Sequence, residues 1–177
     1  MEQINIPEVP VDVNIQEFVT KDSGKREQFE SGMKRDTQDG KNRVDLAFDG
    51  PMLRIVFREG PKGDAGLAMC DWNDEALAGR SAADELFSVI RLIAAYEGGM
   101  GVLLTRYAKL MTRGSIKYDA RNWMLASGEA EAERFRASAC RHFLQWYSGD
   151  KDEDHAVAVV FNLNGYEYVR RKLDLPF

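Results

Sequence analysis

The sequence predicts a mainly all-α fold, a helical bundle preceded by an extended N-terminal arm and a long polar loop. Three observations lead to this prediction. Apolar residues recur at helical spacing in four segments after residue 80, only short connections join these segments, and 44% of the 177 residues are apolar. This apolar content is enough for a hydrophobic core, so the chain is not disordered throughout.

The composition argues against several classes of function. The chain has 24 basic and 29 acidic residues and a net charge of −5, which argues against duplex nucleic acid as a partner. Cys70 and Cys140 lack the paired spacing of a disulfide framework or a structural zinc site. The opening segment does not resemble a secretory signal, and no apolar run is long enough to span a membrane. We therefore expect a cytoplasmic protein with no membrane partner.

The N-terminal part of the chain divides into two segments of different composition. Residues 1–20 carry four acids, two prolines and no bases, which is typical of an extended arm. Residues 21–43 carry seven bases and five acids among glycines and small polar residues, which predicts a loop within a single domain, 21–177. A loop of this length usually binds something, and cations interleaved with glycines suit a polyphosphate. The loop cations that we expect to contact phosphate are Lys25, Arg26, Lys34 and Arg35.

Two short segments follow, and their patterns are less regular. The apolar runs VDLAF (44–48) and MLRIVF (52–57) are separated by Asp49-Gly50-Pro51, which predicts a small hairpin. A helix over 51–58 is the competing interpretation. Residues 59–74 are rich in glycine and contain a proline, which predicts a loop.

Four helices are predicted from residue 81 onward. Ser81 suits the cap of the first, which the glycines at 98–101 interrupt, and Gly114 ends the second. A polar and aromatic connector, 115–125, comes before the third. The second, third and fourth helices are expected over about 102–112, 129–147 and 153–172. The fourth is apolar nearly all round, which is typical of a buried helix.

An acidic cluster lies before and at the start of the last predicted helix. Four carboxylates within five residues repel one another unless a cation or the helix dipole offsets their charge. Oxygen ligands suit Mg²⁺ or Mn²⁺, so we expect a metal site formed by Asp150, Glu153 and Asp154. Simple capping of the helix is the alternative, and both interpretations remain open at this point.

Two further sets of polar residues suit a nucleotide. His155 and Asn162 share one face of the last helix, and His142 lies on a polar stripe of the preceding one. If the two stripes face each other, they form a polar cleft. The alternative is a pair of core histidines whose hydrogen bonds are satisfied inside the protein, and both interpretations remain open. In the connector, a cation, a guanidinium, an amide and two aromatic rings could hold a phosphate and stack a base. These connector residues are Lys117, Tyr118, Arg121, Asn122 and Trp123.

Three blocks of the sequence resemble, in their order and internal spacing, the phage-associated dATP/dGTP diphosphohydrolases, a branch of the MazG-like all-α nucleotide pyrophosphohydrolases. The blocks are DSGKREQFESGMKRDTQDGKNRVDL (22–46), RYAKLMTRGSIKYDARNW (106–123) and RHFLQWYSGDKDEDHAVAVVFN (141–162), about 65 residues in all. The resemblance implies a divalent metal and hydrolysis of a deoxynucleoside triphosphate to the monophosphate and pyrophosphate. It also implies a role in phage nucleotide metabolism, and hence a host-cytoplasmic location.

The resemblance also implies roles for individual residues. The metal would be Mg²⁺ or Mn²⁺, and His142, His155 and Glu153 would act on water or on a ligand. The cations of the first two blocks would bind phosphates, Trp123 or Tyr118 would stack the base, and Asn122 would read its edge. A homo-oligomer would complete the bundle.

The sequence departs from the family pattern in two places. Residues 51–100 are longer than the family connection, which predicts an insertion, and the acidic EExxE and ExxD patterns of the wider MazG group are absent. Two other interpretations stay open. One is an HD-like metal phosphohydrolase, suggested by His142 and the Asp154-His155 pair, and the other is a non-catalytic module that binds nucleotides or single strands.

Overall fold

The computed structural model describes residues 24–174, and the predicted arm 1–20 lies outside them. The described part is mainly α-helical, as predicted. It contains one hairpin of two short strands, seven α-helices and one short 3₁₀ helix. The strands are β1 (Arg26–Gln28) and β2 (Lys34–Asp36). The helices are α1 (Asp45–Phe48), α2 (Met52–Arg58), α3 (Gly63–Leu77), α4 (Ala83–Tyr96), α5 (Met100–Tyr118), the 3₁₀ helix Asn122–Leu125, α6 (Glu129–Ser148) and α7 (His155–Asp174).

The antiparallel pair of α6 and α7 forms the centre of the fold. Phe135 and Phe143 of α6 and Leu163 of α7 are completely buried in the hydrophobic core, as the helical spacing predicted. The two helices approach closely at Gly165, where a Cβ atom would lie 2.2 Å from Cε1 of Phe135. The close approach brings the polar stripes of the two helices together, and the predicted cleft exists.

Residues 44–58 form α1 and α2, so the hairpin predicted there is wrong and the competing helical interpretation is confirmed. Leu53 and Phe57 are four residues apart and both buried, which is the spacing of one helical face. Phe57 lies 6.1 Å from Phe48 and 6.0 Å from Phe143, measured between ring centroids. This aromatic packing, unseen in the linear sequence, favours the helix.

Helix α3 occupies most of the segment predicted as a loop, 59–74, so that prediction is wrong. Its glycines were interpreted as turn residues, but two of them serve close packing. A Cβ atom on Gly66 would lie 2.3 Å from Cγ of Phe57, and one on Gly63 would lie 2.1 Å from the carbonyl oxygen of the same residue. The absence of a side chain therefore lets α2 and α3 pack against each other.

Replacing Gly66 by alanine is expected to lower the free energy of unfolding by about 1–3 kcal/mol, because the added methyl group overlaps the Phe57 ring. The matched control is Gly114→Ala in α5, where a Cβ atom would have no described atom within 4 Å. This control should leave stability unchanged or raise it by up to about 1 kcal/mol. Urea unfolding measures both, and equal effects would contradict this account of α3.

A hairpin exists, but it lies in the polar loop 21–43 rather than at 44–57. Its strands are antiparallel, with Arg26 opposite Asp36, and Gly32 in the turn has a φ of 86°. One side chain of the hairpin, Met33, is completely buried in the core. A buried guanidinium on α6 also fixes it, since Nη2 of Arg134 donates to the carbonyl oxygen of Asp36 at 2.7 Å. The described part of the loop, 24–43, therefore lies against α6, held by Met33 and Arg134.

Helices α4 and α5 differ from the prediction at their ends. Ser81 does not cap α4 through its own hydroxyl group, which donates to Glu167 of α7, and the same carboxylate accepts the backbone N–H of Ala82 at 3.1 Å. Helix α5 continues through Gly114 to Tyr118, because nothing at that glycine forces a turn. As a result Lys117 and Tyr118 are helical rather than part of a connector.

Within residues 24–174, no helix alone has the length and apolar character to cross a membrane, although the bent pair of α4 and α5 passes that test jointly.

Candidate active site

A cavity of about 760 Å³ lies between the hairpin, the C-terminal half of α5, the 3₁₀ helix and the facing sides of α6 and α7. It collects residues from all three sequence blocks that carried the family resemblance. The predicted site residues that line it are Lys34, Arg35, Lys117, Tyr118, Arg121, Asn122, Trp123, His142, Asp150, Glu153 and Asn162. Lys25, Arg26, Asp154 and His155 do not line it.

Arg35 is the central cation of the cavity. Its guanidinium lies over the rings of Phe135 and Phe161, at 4.6 and 5.8 Å from their centroids, and its Nη2 donates to Oδ1 of Asn162 at 2.8 Å. Nη1 is buried and has no hydrogen-bond partner among the described residues. Burial, followed by the nearby charges of Arg134 and Arg141, lowers the pKa of Arg35 to about 9. The side chain is charged at neutral pH. A bound anion would offset the free-energy cost of burying this charge beside two other arginines.

Two arginines of α6 complete this cationic region. Arg134 is buried and donates to Oγ of Ser138 at 2.7 Å as well as to the hairpin. Arg141 is half-buried, and burial followed by the charge of Arg134 lowers its pKa. Lys41 also lines the cavity, and burial followed by the charges of Arg141 and Arg134 lowers its pKa. A polyanion would offset the mutual repulsion of these groups.

The histidines form one directional chain of hydrogen bonds. A guanidinium only donates, so Nε2 of His142 accepts from Nη2 of Arg141 at 3.1 Å, and the ring proton of His142 belongs on Nδ1. This Nδ1–H then donates to Nδ1 of His155 at 3.0 Å, which leaves Nε2–H of His155 to donate to Oδ1 of Asp152 at 2.7 Å. Burial, then the charges of Arg141 and His155, lowers the pKa of His142 well below its ordinary value, consistent with a neutral ring.

The chain of hydrogen bonds ends at the acidic cluster. His142, Glu153 and His155 bring three possible ligand atoms within 4.8 Å of one another, and Asp150, Asp152 and His155 do the same. Carboxylate oxygens suit Mg²⁺ or Mn²⁺, whereas imidazole nitrogens suit zinc and the later transition metals better. Because both histidine rings already use both nitrogens, the groups best placed to accept a cation are the carboxylates.

Asp154, predicted as a metal ligand, has a different environment from the other acids. It is buried, and its Oδ2 accepts from Nε of Arg106 at 2.8 Å while its Oδ1 accepts from Nη2 of the same guanidinium. Arg106 also donates to Glu97, whose other oxygen accepts from the indole of Trp146 at 2.7 Å. This network joins α4, α5, α6 and the start of α7, so it positions the acidic cluster without contributing Asp154 to it.

Asn122 was predicted to read the edge of a base, but the backbone of β2 occupies its amide group. Its Oδ1 accepts from the N–H of Lys34 at 2.9 Å, and its Nδ2 donates to the carbonyl oxygen of the same residue at 2.8 Å. The amide therefore attaches the hairpin to the 3₁₀ helix. Contact of Asn122 with a base stays a prediction, because its amide keeps a second N–H group and a second lone pair beyond these two bonds.

The other predicted contacts are also partly occupied. Asp36 accepts from Nζ of Lys117 at 2.8 Å, from the hydroxyl of Tyr118 at 2.7 Å and from Arg26 at 3.0 Å. Burial alone would raise the pKa of Asp36, but the bonds from Lys117 and Tyr118 lower it. Trp123 packs edge-on against two aromatic rings of α7, those of Phe161 and Tyr168. These side chains line the cavity, but they also bond to or pack against other residues of the protein.

Several residues that matter in the folded site were not among the site residues predicted from the sequence. Asp152 and Arg141 belong to the hydrogen-bond chain, Lys41 and Gln145 line the cavity, and Arg106 fixes Asp154. Helical spacing offered a signal for Gln145, which shares a face of α6 with His142, whereas Arg141 is the residue directly before that histidine. No sequence signal could pair Arg106 with Asp154, which is 48 residues away.

Comparison with known protein families gives one match. A family model described as dATP/dGTP diphosphohydrolase, N-terminal, matches residues 81–170, which is about half of the chain and includes α4 to α7 with most of the cavity. No curated protein and no solved structure matches the chain.

Proposed function

Because the chain belongs to the dATP/dGTP diphosphohydrolase family, we propose that it hydrolyses a purine deoxynucleoside triphosphate, dGTP or dATP, to the monophosphate and pyrophosphate. One observation carries the proposal. A single cavity places three mutually repelling arginines, Arg35, Arg134 and Arg141, beside a cluster of carboxylates and histidines. The first set suits a polyphosphate, and the second suits the activation of water.

The arginines would bind the β and γ phosphates. Nη1 of Arg35 lacks a hydrogen-bond partner among residues 24–174, so it can donate to a phosphate oxygen without breaking an existing bond. Arg141 donates to His142, so in this proposal its positive charge would lie beside the leaving pyrophosphate. Charge that develops on the leaving group is stabilised best by donors already fixed in place. Lys34 and Lys117 at the hairpin side would add contacts.

A divalent cation would be held by Asp150, Asp152 and Glu153. When bound, it would offset phosphate charge and lower the pKa of water. The donor set fits this role, since all three are carboxylates and belong to the two groups of possible ligand atoms around His155. In this proposal His142 and His155 position Asp152, because their hydrogen bonds run from Arg141 toward that carboxylate. Asp154 drops out of the predicted ligand set for the reason given above.

In the proposed reaction, Glu153 and the arginines have different roles. Glu153 accepts a proton from water as the water oxygen bonds to the α phosphorus, and the bond from that phosphorus to the bridging oxygen breaks. Pyrophosphate leaves with the electron pair of that bond, paired with the arginines. The catalytic roles of Glu153, His142 and His155 remain predictions that rest on this scheme.

The product assay tests the proposal directly. The chain is incubated with dATP or dGTP and Mn²⁺ or Mg²⁺ in ¹⁸O-labelled water, and the products are followed by ³¹P NMR. We expect pyrophosphate and a monophosphate that carries the label, as attack at the α phosphorus requires. Orthophosphate would indicate cleavage at the γ position and overturn the proposal. Binding that persists in EDTA without turnover would favour the non-catalytic nucleotide-binding module.

The biological setting and the assembly state belong to the same proposal. A role in phage nucleotide metabolism is part of the proposal on the strength of the sequence resemblance, and the proposed partner is the small-molecule substrate. Four exposed apolar side chains on α1 and α2 offer a surface for a second copy in a homo-oligomer: Leu46, Met52, Ile55 and Val56. Light scattering after gel filtration measures the mass in solution.

A further inference from the structure

Polar side chains of different chemistry follow one another along the face of α6 that lines the cavity. The side chains of Arg134, Ser138, His142, Gln145 and Ser148 line the cavity at successive turns. At a rise of 1.5 Å per residue this row extends about 21 Å, which is long enough for an extended nucleoside triphosphate. Arg134 begins the row, Ser138 follows, and His142 with its neighbouring acids comes next.

Gln145 is the next polar group of this row beyond the histidine. Its Oε1 is buried and has no hydrogen-bond partner within the described part of the chain. A buried carbonyl oxygen without a donor costs free energy, so a ligand that supplies a donor would bind preferentially. The oxygens of a triphosphate at neutral pH are acceptors, which excludes phosphate as the partner of this atom. A nucleotide has donors in its sugar hydroxyl groups and in its base.

The position of Gln145 favours the sugar. It lies three residues beyond His142, a rise of about 4.5 Å along α6, on the side away from Arg134. In the proposed orientation the scissile phosphorus lies near His142, and the chain of the nucleotide continues from phosphate to sugar to base. The nearest donor beyond the α phosphate is the 3′-hydroxyl group, whereas the N–H groups of the base lie farther along.

We propose that Oε1 of Gln145 accepts a hydrogen bond from the 3′-hydroxyl group of the deoxyribose, which makes Gln145 a residue that recognises this hydroxyl group and positions the sugar. This inference rests on the proposed function, since it uses the same cavity and the same orientation of the triphosphate. In this inference Gln145, a neutral residue of the α6 row, binds the sugar, whereas other residues bind phosphate or activate water.

A chemical double-mutant cycle tests the inference. The protein and its Gln145→Met variant are each assayed with dATP and with 2′,3′-dideoxy-ATP, which lacks only the 3′-hydroxyl group. We expect the unmodified protein to prefer dATP in kcat/KM by about 10-fold or more. In Gln145→Met the two substrates should differ by less than about 2-fold, because both members of the pair are absent. The Gln145→Glu variant keeps an acceptor oxygen and should keep the preference.

Two results would overturn the inference. One is an unmodified protein that does not distinguish the two substrates, an outcome that needs no variant to fold. The other is a Gln145→Met variant that loses activity equally on both and keeps the preference, which would place Gln145 against the base. Calorimetry with α,β-methylene dATP and its 3′-deoxy analogue measures the same preference without cleavage. A preserved preference in binding without any hydrolysis would contradict the proposed function and leave this inference standing.

Discussion

Replacing Arg35 by methionine is expected to lower kcat/KM for a deoxynucleoside triphosphate by at least about 100-fold. The guanidinium is the cation with an unpartnered donor atom in the described cavity, and fixed charged donors to a phosphate typically contribute this much. Stability should respond differently. The variant loses the bond to Asn162 but also removes a half-buried charge that Arg134 and Arg141 repel. The free energy of unfolding should therefore stay within about 1 kcal/mol or rise.

The matched control is Arg91→Met on α4. This arginine is exposed and does not line the cavity, so the same chemical change should leave both kcat/KM and stability unaltered. Steady-state kinetics and urea unfolding measure the two variants in parallel. If Arg35→Met loses stability and keeps its activity, then Arg35 is a structural residue and the cationic end of the cavity has been assigned incorrectly.

The double variant Asp152→Asn, Glu153→Gln is expected to lower kcat by about 1,000-fold while the fold remains intact. Both carboxylates lie in the groups of possible ligand atoms around His155, and a bound cation contributes several kcal/mol to such a reaction. The two acids precede α7, where carboxylates add only modest stability through the helix dipole. The free energy of unfolding should accordingly change by no more than about 1 kcal/mol.

Asp154→Asn provides the contrast to this variant, since it makes the same substitution one or two positions away. It weakens the buried pair with Arg106, so it should lower the free energy of unfolding by about 2 kcal/mol or more. Calorimetric binding of Mn²⁺ should be lost in the double variant and retained in Asp154→Asn. The reverse pattern would restore Asp154 as a ligand and remove Asp152.

The periodic parts of the fold were predictable from the sequence. Residues such as Phe135, Phe143 and Leu163 recur at helical spacing in long segments, and α6 and α7 follow that pattern closely. The fold of the segment 44–74 was not predictable in this way, because its glycines look like turn residues. Whether Gly66 breaks a helix or allows one to pack depends on Phe57, a contact that appears only after the chain has folded.

The candidate site was also predictable only in part from the sequence. Residue types in sequence blocks indicated a polyphosphate, and the structure brings eleven of the predicted side chains to one cavity. Sequence spacing could not tell which polar groups would be occupied by the protein itself. Asn122 is bonded to the backbone of Lys34 and Asp154 to Arg106, and both partners come from distant parts of the chain. Pairing of this kind depends on tertiary contacts rather than on residue type.

The hairpin and α6 form two walls of the cavity, and both carry cations, Lys34 and Arg35 on the first and Arg134 and Arg141 on the second. An anion that bonds to both walls cross-links two pieces of backbone that are about 100 residues apart in sequence. Its binding free energy then adds to that of folding and scales with the logarithm of its concentration. Heating the protein in increasing tripolyphosphate would thus titrate the cavity through the melting temperature, before any reaction is known to occur.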